Sequence, residues 1–244
     1  LTAFTLDLPV PQRALALAAH PDDVEFGCGG TLAKWAARGC SIHHVICTDG
    51  SKGTWDADAD LTQLVATRQS EQREAARILG ASDDVVFLGW HDGELEDGPT
   101  QRRQVAHWIR RLKPDVVLGH DPWRRYRLHP DHRHAGFLLT DGVVAARDPL
   151  FFPEPGLEAH RPTTLLLWEA DEPDHVEDVG AQLQTKVAAL LAHRSQYRST
   201  MGIDDDADEK QVERFRRRVA DTAAEHGRPV GVAYGERFKA LRDL

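Results

Sequence analysis

Two short stretches, AHPDD (19–23) and LHPDHRH (128–134), place histidines and aspartates at spacings that suit a metal ion. His20 and Asp23 lie close together in a tight connection, where one imidazole and one carboxylate can converge while Asp22 points elsewhere. The second stretch offers a third ligand, with His132 in the first turn after Pro130. Two imidazoles and one carboxylate suit zinc, and three protein ligands leave a position open for water, which marks catalytic rather than structural sites. The chemistry expected is hydrolytic. AHPDD alone has another explanation, because acids at a helix start satisfy free N–H groups and the macrodipole. A second histidine-rich turn at a comparable position favours the metal.

Alternating elements must position these residues. The apolar run 13–19 (RALALAA) predicts a strand ending at His20, and GGTLAKWAAR (29–38) predicts a helix closed by Gly39. IHHVIC (42–47) predicts the next strand, followed by the polar loop TDGSKGTWDADAD and a helix over 64–79 that stops at Gly80. VVFL (85–88), DVVLG (115–119) and TTLLLW (163–168) predict three more strands, with helices through VAHWIRRL, from about residue 131, and over 182–193. Short apolar strands alternating with helices imply a parallel sheet covered on both faces. Ligands bind such sheets outside the carboxyl ends of the strands, which is where His20 to Asp23 fall.

The chain has 244 residues, 41% of them hydrophobic, enough for one large core, and shows no internal repeat, low-complexity segment or linker. A formal net charge of -9 provides no global positive field for nucleic acid or an anionic membrane. Cys28, Cys40 and Cys47 are odd in number and lack CxxC spacing, which argues for a reducing, cytoplasmic setting. No stretch approaches the roughly 20 apolar residues of a spanning helix, and LTAFTLDLPVPQR lacks a basic leader followed by an apolar segment.

The pairing of AHPDDVEFGCGGTLA with HPDHR, together with TDG, RQSEQREAARILG, DGEL, PDVVLGHDP and a late HRSQ, resembles the PIG-L or LmbE-like family of zinc-dependent de-N-acetylases. The resemblance runs from about residue 14 to 196, with a weaker echo in AYGERFKAL. It implies that His20, Asp23 and His132 bind Zn2+, with Fe2+ or another divalent metal as the alternative. It further implies that Asp22 is the general base, that a protonated His129 stabilises the tetrahedral intermediate, and that Asp131 orients His129. Arg68 and Asp92 stand where the family places substrate contacts, and Tyr126 precedes His129 near the position of an assisting tyrosine. The expected fold is a single Rossmann-like α/β domain over 1–244, mostly parallel with helices on both faces. Its core is expected at about 14–196, with a helical extension at 197–244.

Trp55, Trp90 and Trp123 fall in loops after successive strands and Trp168 ends the fifth, an arrangement that suits an aromatic platform for a glycoside. Lys52, Arg124, Arg125 and Arg127 cluster in the same loops and suit a positive mouth for a phosphate- or carboxylate-bearing substrate. IDDDADEKQVERFRRR reads as a helix with acids at its start and bases beyond, which the macrodipole explains. His43, His44, His107, His160 and His175 read as ordinary surface or packing residues.

The reaction expected is hydrolysis of the acetamide of an amino sugar or GlcNAc-type conjugate. Its partner is a small N-acylated molecule, without nucleic acid or stable membrane insertion, and the resemblance is compatible with a homo-oligomer. Hydrolysis of another amide, in a thiol conjugate or antibiotic intermediate, is the nearest alternative. Two other classes remain: a non-haem iron oxygenase built on two histidines and a carboxylate, and a non-catalytic nucleotide-binding domain using Gly27, Gly29 and Gly30 at a helix N-terminus.

Overall fold

The computed structural model describes residues 3–205 and 208–244. A short strand β1 (Thr5–Leu6) precedes β2 (Arg13–Ala18), β3 (Ser41–Thr48), β4 (Val86–Trp90), β5 (Val116–His120) and β6 (Thr164–Trp168). Two more strands, β7 (His175–Asp178) and β8 (Gly235–Arg242), complete an eight-stranded sheet in the order β1-β7-β8-β6-β5-β2-β3-β4. The pairings of β2 with β3 and β5, and of β3 with β4, are parallel, whereas β8 runs antiparallel to both β6 and β7. The mostly parallel single α/β domain expected from the alternation is the fold observed.

Helices α1 (Asp23–Ala36), α2 (Leu61–Leu79), α3 (Pro99–Leu112), α4 (Pro130–Arg147), α5 (Leu183–Leu191) and α6 (Glu209–Gly227) cover the sheet. The side-chain period of two in β2 divides the core. Ala14, Ala16 and Ala18 pack with Leu32, Trp35 and Leu79 of α1 and α2, while Leu15 and Leu17 pack with Ile109, Leu138 and Leu139 of α3 and α4. The small residues on one face admit the α1 and α2 side chains closely, and burial of the larger ones on the other contributes about 1.5–3 kcal/mol each.

Residues 197–244 are not helical to their end. GERFKALR forms β8, with Glu236, Phe238 and Ala240 buried in alternation. A carboxylate at a core position masks that pattern in the sequence. Glu236 accepts from Gly30 N at 2.9 Å, Thr31 N at 2.7 Å, Thr31 Oγ1 at 2.6 Å and Lys186 Nζ at 2.6 Å. These amides are free to donate because α1 kinks at Cys28 (φ -147°), so that a new helical stretch begins behind the kink. The kink explains why the sequence reading found only the second half of α1. It also removes the anion site of the nucleotide-binding reading, since Glu236 already occupies the amides. The glycines serve packing: a Cβ on Gly27 would lie 2.5 Å from Trp168, and one on Gly30 2.8 Å from Val179.

β2 is flanked by β3 on one side and β5 on the other, so the connections leaving β2 and β5 diverge to opposite faces of the sheet. Their carboxyl ends open a crevice between them, the topological switch point of an open α/β sheet. His20 follows β2, and His120 ends β5.

Candidate active site

Three side chains from two connections meet in that crevice. Nδ1 of His20 lies 3.4 Å from Oδ2 of Asp23 and 3.2 Å from Nε2 of His132, and His132 Nε2 lies 3.4 Å from the other Asp23 oxygen. Pro130 starts α4 and so places His132 in its first turn, pointing back toward β2. A tetrahedral ion with ligands about 2.0–2.1 Å away holds them ~3.3–3.4 Å apart, so the two imidazole nitrogens with the Asp23 carboxylate could hold a divalent metal.

His20 Nε2 donates toward Asp131 Oδ2 at 3.1 Å and Asp92 Oδ1 at 3.2 Å, so a neutral His20 keeps its proton on Nε2 and turns the Nδ1 lone pair to the cluster. Burial opposes the His20 imidazolium, yet Asp131, Asp23 and Asp92 together raise its pKa well above the ordinary value, so without a metal Nδ1 also carries a proton, which ligation would displace. Burial likewise opposes charge on Asp23, but the imidazoles of His132 and His120 hold its carboxyl well below the usual range. Burial pushes His132 down to about 4, so at neutral pH it is the uncharged imidazole that ligation needs. Its Nδ1 lies 3.0 Å from Arg127 Nη1, which is also 2.6 Å from Glu169 Oε2. Arginine only donates, so Nδ1 accepts here and a neutral His132 carries its proton on Nε2; ligation through Nε2 would move that proton to Nδ1 and leave Arg127 to Glu169.

Asp22 occupies the N-cap position of α1 but its side chain caps nothing, so helix capping does not account for HPDD. Its backbone is left-handed, at φ 94°. Burial raises its carboxyl to about 6, against the lowering effect of the Arg68 guanidinium. Arg68 is buried, donating from Nη1 to Gly50 O at 2.7 Å and from Nη2 to Pro21 O at 2.8 Å, with Nη2 3.8 Å from Asp22 Oδ2. It is not a solvated helix charge.

The structure gives several of these residues other partners than the expected ones. Asp131, expected to orient His129, instead binds His20 and accepts from Gly93 N at 2.6 Å and Leu95 N at 3.3 Å. Its place in the first turn of α4 aims it across the crevice rather than back along its own chain. Asp92, expected to contact substrate, also faces His20 and accepts from Lys52 N at 3.0 Å. The ring of His129 stacks on His132 at 4.7 Å, and burial together with the neighbouring His20 lowers its pKa, which disfavours the protonated form.

The aromatic rim is reduced. Trp168 is 1% exposed, and Trp90 packs in the core with its indole N–H on Gln104. Trp55 at 87%, Trp123 at 58% and Tyr126 at 93% remain exposed. The positive mouth is neutralised, because Lys52 pairs with Glu94, Arg124 and Arg127 with Glu169, and Arg125 with Asp171.

The sequence reading missed His120. Its Nε2 lies 3.3 Å from Asp23 Oδ2, and its signal was its place as the last residue of the strand within PDVVLGHDP. His193 and Gln72 were also missed, although HRSQ and RQSEQREAARILG contain them. Both are buried close to Asp22. Asp22, Asp23, His120 and His132 open onto a cavity of about 710 Å³ that extends past Trp168 to His226 of α6 and Arg237 of β8.

A parallel α/β sheet carrying this imidazole–carboxylate cluster beside an acid of raised pKa, at its switch point, defines a class of proteins built for metal-assisted chemistry on a small molecule. Residues 15–143 match the model of the PIG-L family, GlcNAc-PI de-N-acetylase. The chain is 33% identical over 189 residues to the diacetylchitobiose deacetylase of Thermococcus kodakarensis, covering 76% of this chain and 70% of that one. It is 34% identical over 157 residues to the 1D-myo-inositol 2-acetamido-2-deoxy-alpha-D-glucopyranoside deacetylase of Mycobacterium leprae, covering 55% of this chain and 51%, about half, of that relative. The N,N'-diacetylchitobiose deacetylase structure from Pyrococcus horikoshii superposes with a TM-score of 0.85 at 30% identity, covering 95% of this chain and 84% of that one. The chain belongs to the PIG-L family.

Proposed function

We propose that this protein is a zinc-dependent N-deacetylase that hydrolyses the acetamide of an amino sugar or GlcNAc-type conjugate. The observation that carries the reading is the triangle of His20, Asp23 and His132 with Asp22 beside it, of which Asp22, Asp23 and His132 line one cavity. Its sugar preference rests on the deacetylases to which the chain is similar. Zinc, when bound, supplies Lewis acidity, acidifying water and polarising a carbonyl.

The chain's own residues do the rest. Asp22, with a pKa of about 6, accepts a proton from the attacking water and returns it to the leaving nitrogen. His129 donates a hydrogen bond to the oxygen on which charge develops. A C–O bond forms, the amide C–N bond breaks, and acetate and a primary amine leave. Asp131 and Asp92 fix the His20 ring, and Arg68 holds the loop that carries Asp22. The cavity beyond Trp168 has room for the part of the substrate that does not react, so a disaccharide or conjugate suits it better than a free monosaccharide.

The three cysteines are free and buried, which fits a reducing compartment such as the cytoplasm. Among the described residues no helix is long and apolar enough to cross a membrane, in keeping with a small-molecule partner. The test is release of primary amine from a panel of N-acetylglucosamine conjugates, with and without a zinc chelator. Chelator-sensitive release that zinc restores is expected. Oxygen consumption with bound iron, and no amine, would replace this reading with the oxygenase.

A further inference from the structure

We propose that Gln72 is a positioning residue for Asp22, held in register by the buried Glu25–His193 pair. The inference rests on the reading of Asp22 as the base and adds the device that aims it.

Pro21 and Asp22 share one peptide unit, and α2 grips both of its ends. The Asp22 N–H donates to Gln72 Oε1 at 2.9 Å, and the Pro21 carbonyl accepts from Arg68 Nη2 at 2.8 Å. Arg68 and Gln72 are one helical turn apart, so both reach the same patch of chain from one face of α2. The clamp fixes the plane of that peptide and with it the left-handed φ of 94° at Asp22, a conformation that strains a non-glycine residue.

A glutamine amide has nearly the same shape at both ends, so something must decide which end meets Asp22. Gln72 Nε2 donates to Glu25 Oε1 at 2.8 Å. A carboxylate only accepts, so the amide nitrogen faces Glu25 and the oxygen faces the Asp22 N–H. Glu25 is fully buried, with His193 Nε2 3.4 Å from its Oε2 and His44 Nδ1 3.7 Å from its Oε1. His193 opens the HRSQ turn, and that turn is anchored on the same helix. Ser195 donates to Glu71 through N at 2.9 Å and Oγ at 2.6 Å, and Gln196 Nε2 donates to Gly53 O at 3.1 Å.

The polar residues of HRSQ therefore grip α1, α2 and the loop after β3, and they converge behind Asp22. Glu25 Oε2 and both His193 nitrogens lack well-directed hydrogen-bond partners within the protein, so the cluster is a poor source of stability. Its geometric product is the orientation of one strained peptide.

The experiment uses the full chain, zinc-loaded, with N,N'-diacetylchitobiose as probe. Gln72→Met, which neither accepts nor donates, is expected to lower kcat by about 10- to 100-fold, as a displacement of about 1 Å does. KM and zinc content stay at their original values. His193→Leu lowers kcat in the same way, whereas His193→Gln, which keeps a polar side chain facing Glu25, restores it. A crystal structure of Gln72→Met is expected to show the Pro21–Asp22 peptide turned and Asp22 out of the left-handed region. Full kcat in Gln72→Met, a loss that only follows lost zinc or lost folded protein, or an unchanged Asp22 backbone would overturn the proposal. Asp22→Asn separates the two readings. If it keeps activity, the base assignment is wrong, and the crystal structure alone decides whether Gln72 positions Asp22.

Discussion

Trp168 donates its indole N–H to Nδ1 of His120 at 3.0 Å. An indole only donates, so the proton of a neutral His120 sits on Nε2, directed at Asp23 Oδ2. In that tautomer His120 is placed to orient Asp23 rather than to offer a lone pair, although Asp23, His120 and His132 lie close enough together to hold a metal, as do His20, His129 and His132. Trp168→Phe frees the ring to change tautomer, and zinc affinity is expected to fall by about 10- to 100-fold. Competition against a fluorescent chelator measures it, and an unchanged affinity would make the tryptophan contact irrelevant to the site.

With Asp22 as the proposed base, its carboxyl is expected to set the acid side of the rate profile. Burial raises its pKa to about 6 while Arg68 pulls it down, so the carboxylate is lost as pH falls through about 6 and kcat/KM falls with it. Arg68→Met removes the lowering influence and should carry that limb to higher pH, while Arg68→Lys should move it less. Asp22→Asn is expected to cost about 10²–10⁴-fold in kcat with zinc still bound. The profiles, measured alongside metal content, separate a charge effect from loss of the site.

His226 is expected to make stability depend on pH. Burial, followed by the charges of Arg237 and Lys186, lowers its pKa to about 4. The unfolded chain binds this proton near the ordinary histidine value and the folded chain only near 4, so the stability present at neutral pH is lost as pH drops between the two. His226→Gln should flatten urea midpoints across that window and leave them unchanged above it. A slope identical to the parent's would show that His226 is not the titrating group.

Trp55 and Trp123 are the exposed remnants of the aromatic rim. Replacing both with alanine is expected to raise KM for sugar conjugates several-fold while kcat stays within about twofold, the signature of lost uniform binding. Equal Michaelis constants across every accepted substrate would assign these rings to the surface alone.

Much of this architecture was legible because apolar runs in a parallel sheet are continuous. RALALAA and TTLLLW announce buried strands without help from context. Chemistry constrains the types and spacing of His20, Asp23 and His132, which is why the sequence points to them, and the structure brings them together. The His20 contacts of Asp131 and Asp92 have no sequence signal, since contacts across the crevice depend on how α4 crosses the loop after β4. The strand β8 was hidden by Glu236, a charge whose partners are backbone amides exposed by a kink at Cys28. His193 and Glu25 stayed silent for a related reason: a buried ion pair between distant segments has no local periodicity.

The placement of β8 bears on how the chain is made. It joins β7 to β6 from a position later in the sequence than every other described strand, and it delivers Glu236 to the amides behind the Cys28 kink. A ribosome can therefore release the segments that carry His20 and His132 long before the sheet acquires its last interior strand. Until then β6 is an edge, β1 and β7 have no attachment to the larger sheet through hydrogen bonds, and the helix bearing Asp23 lacks its brace. Assembly of the metal-binding crevice is thus tied to synthesis of residues far from it, and a prematurely terminated chain carries its ligands without the support that arranges them.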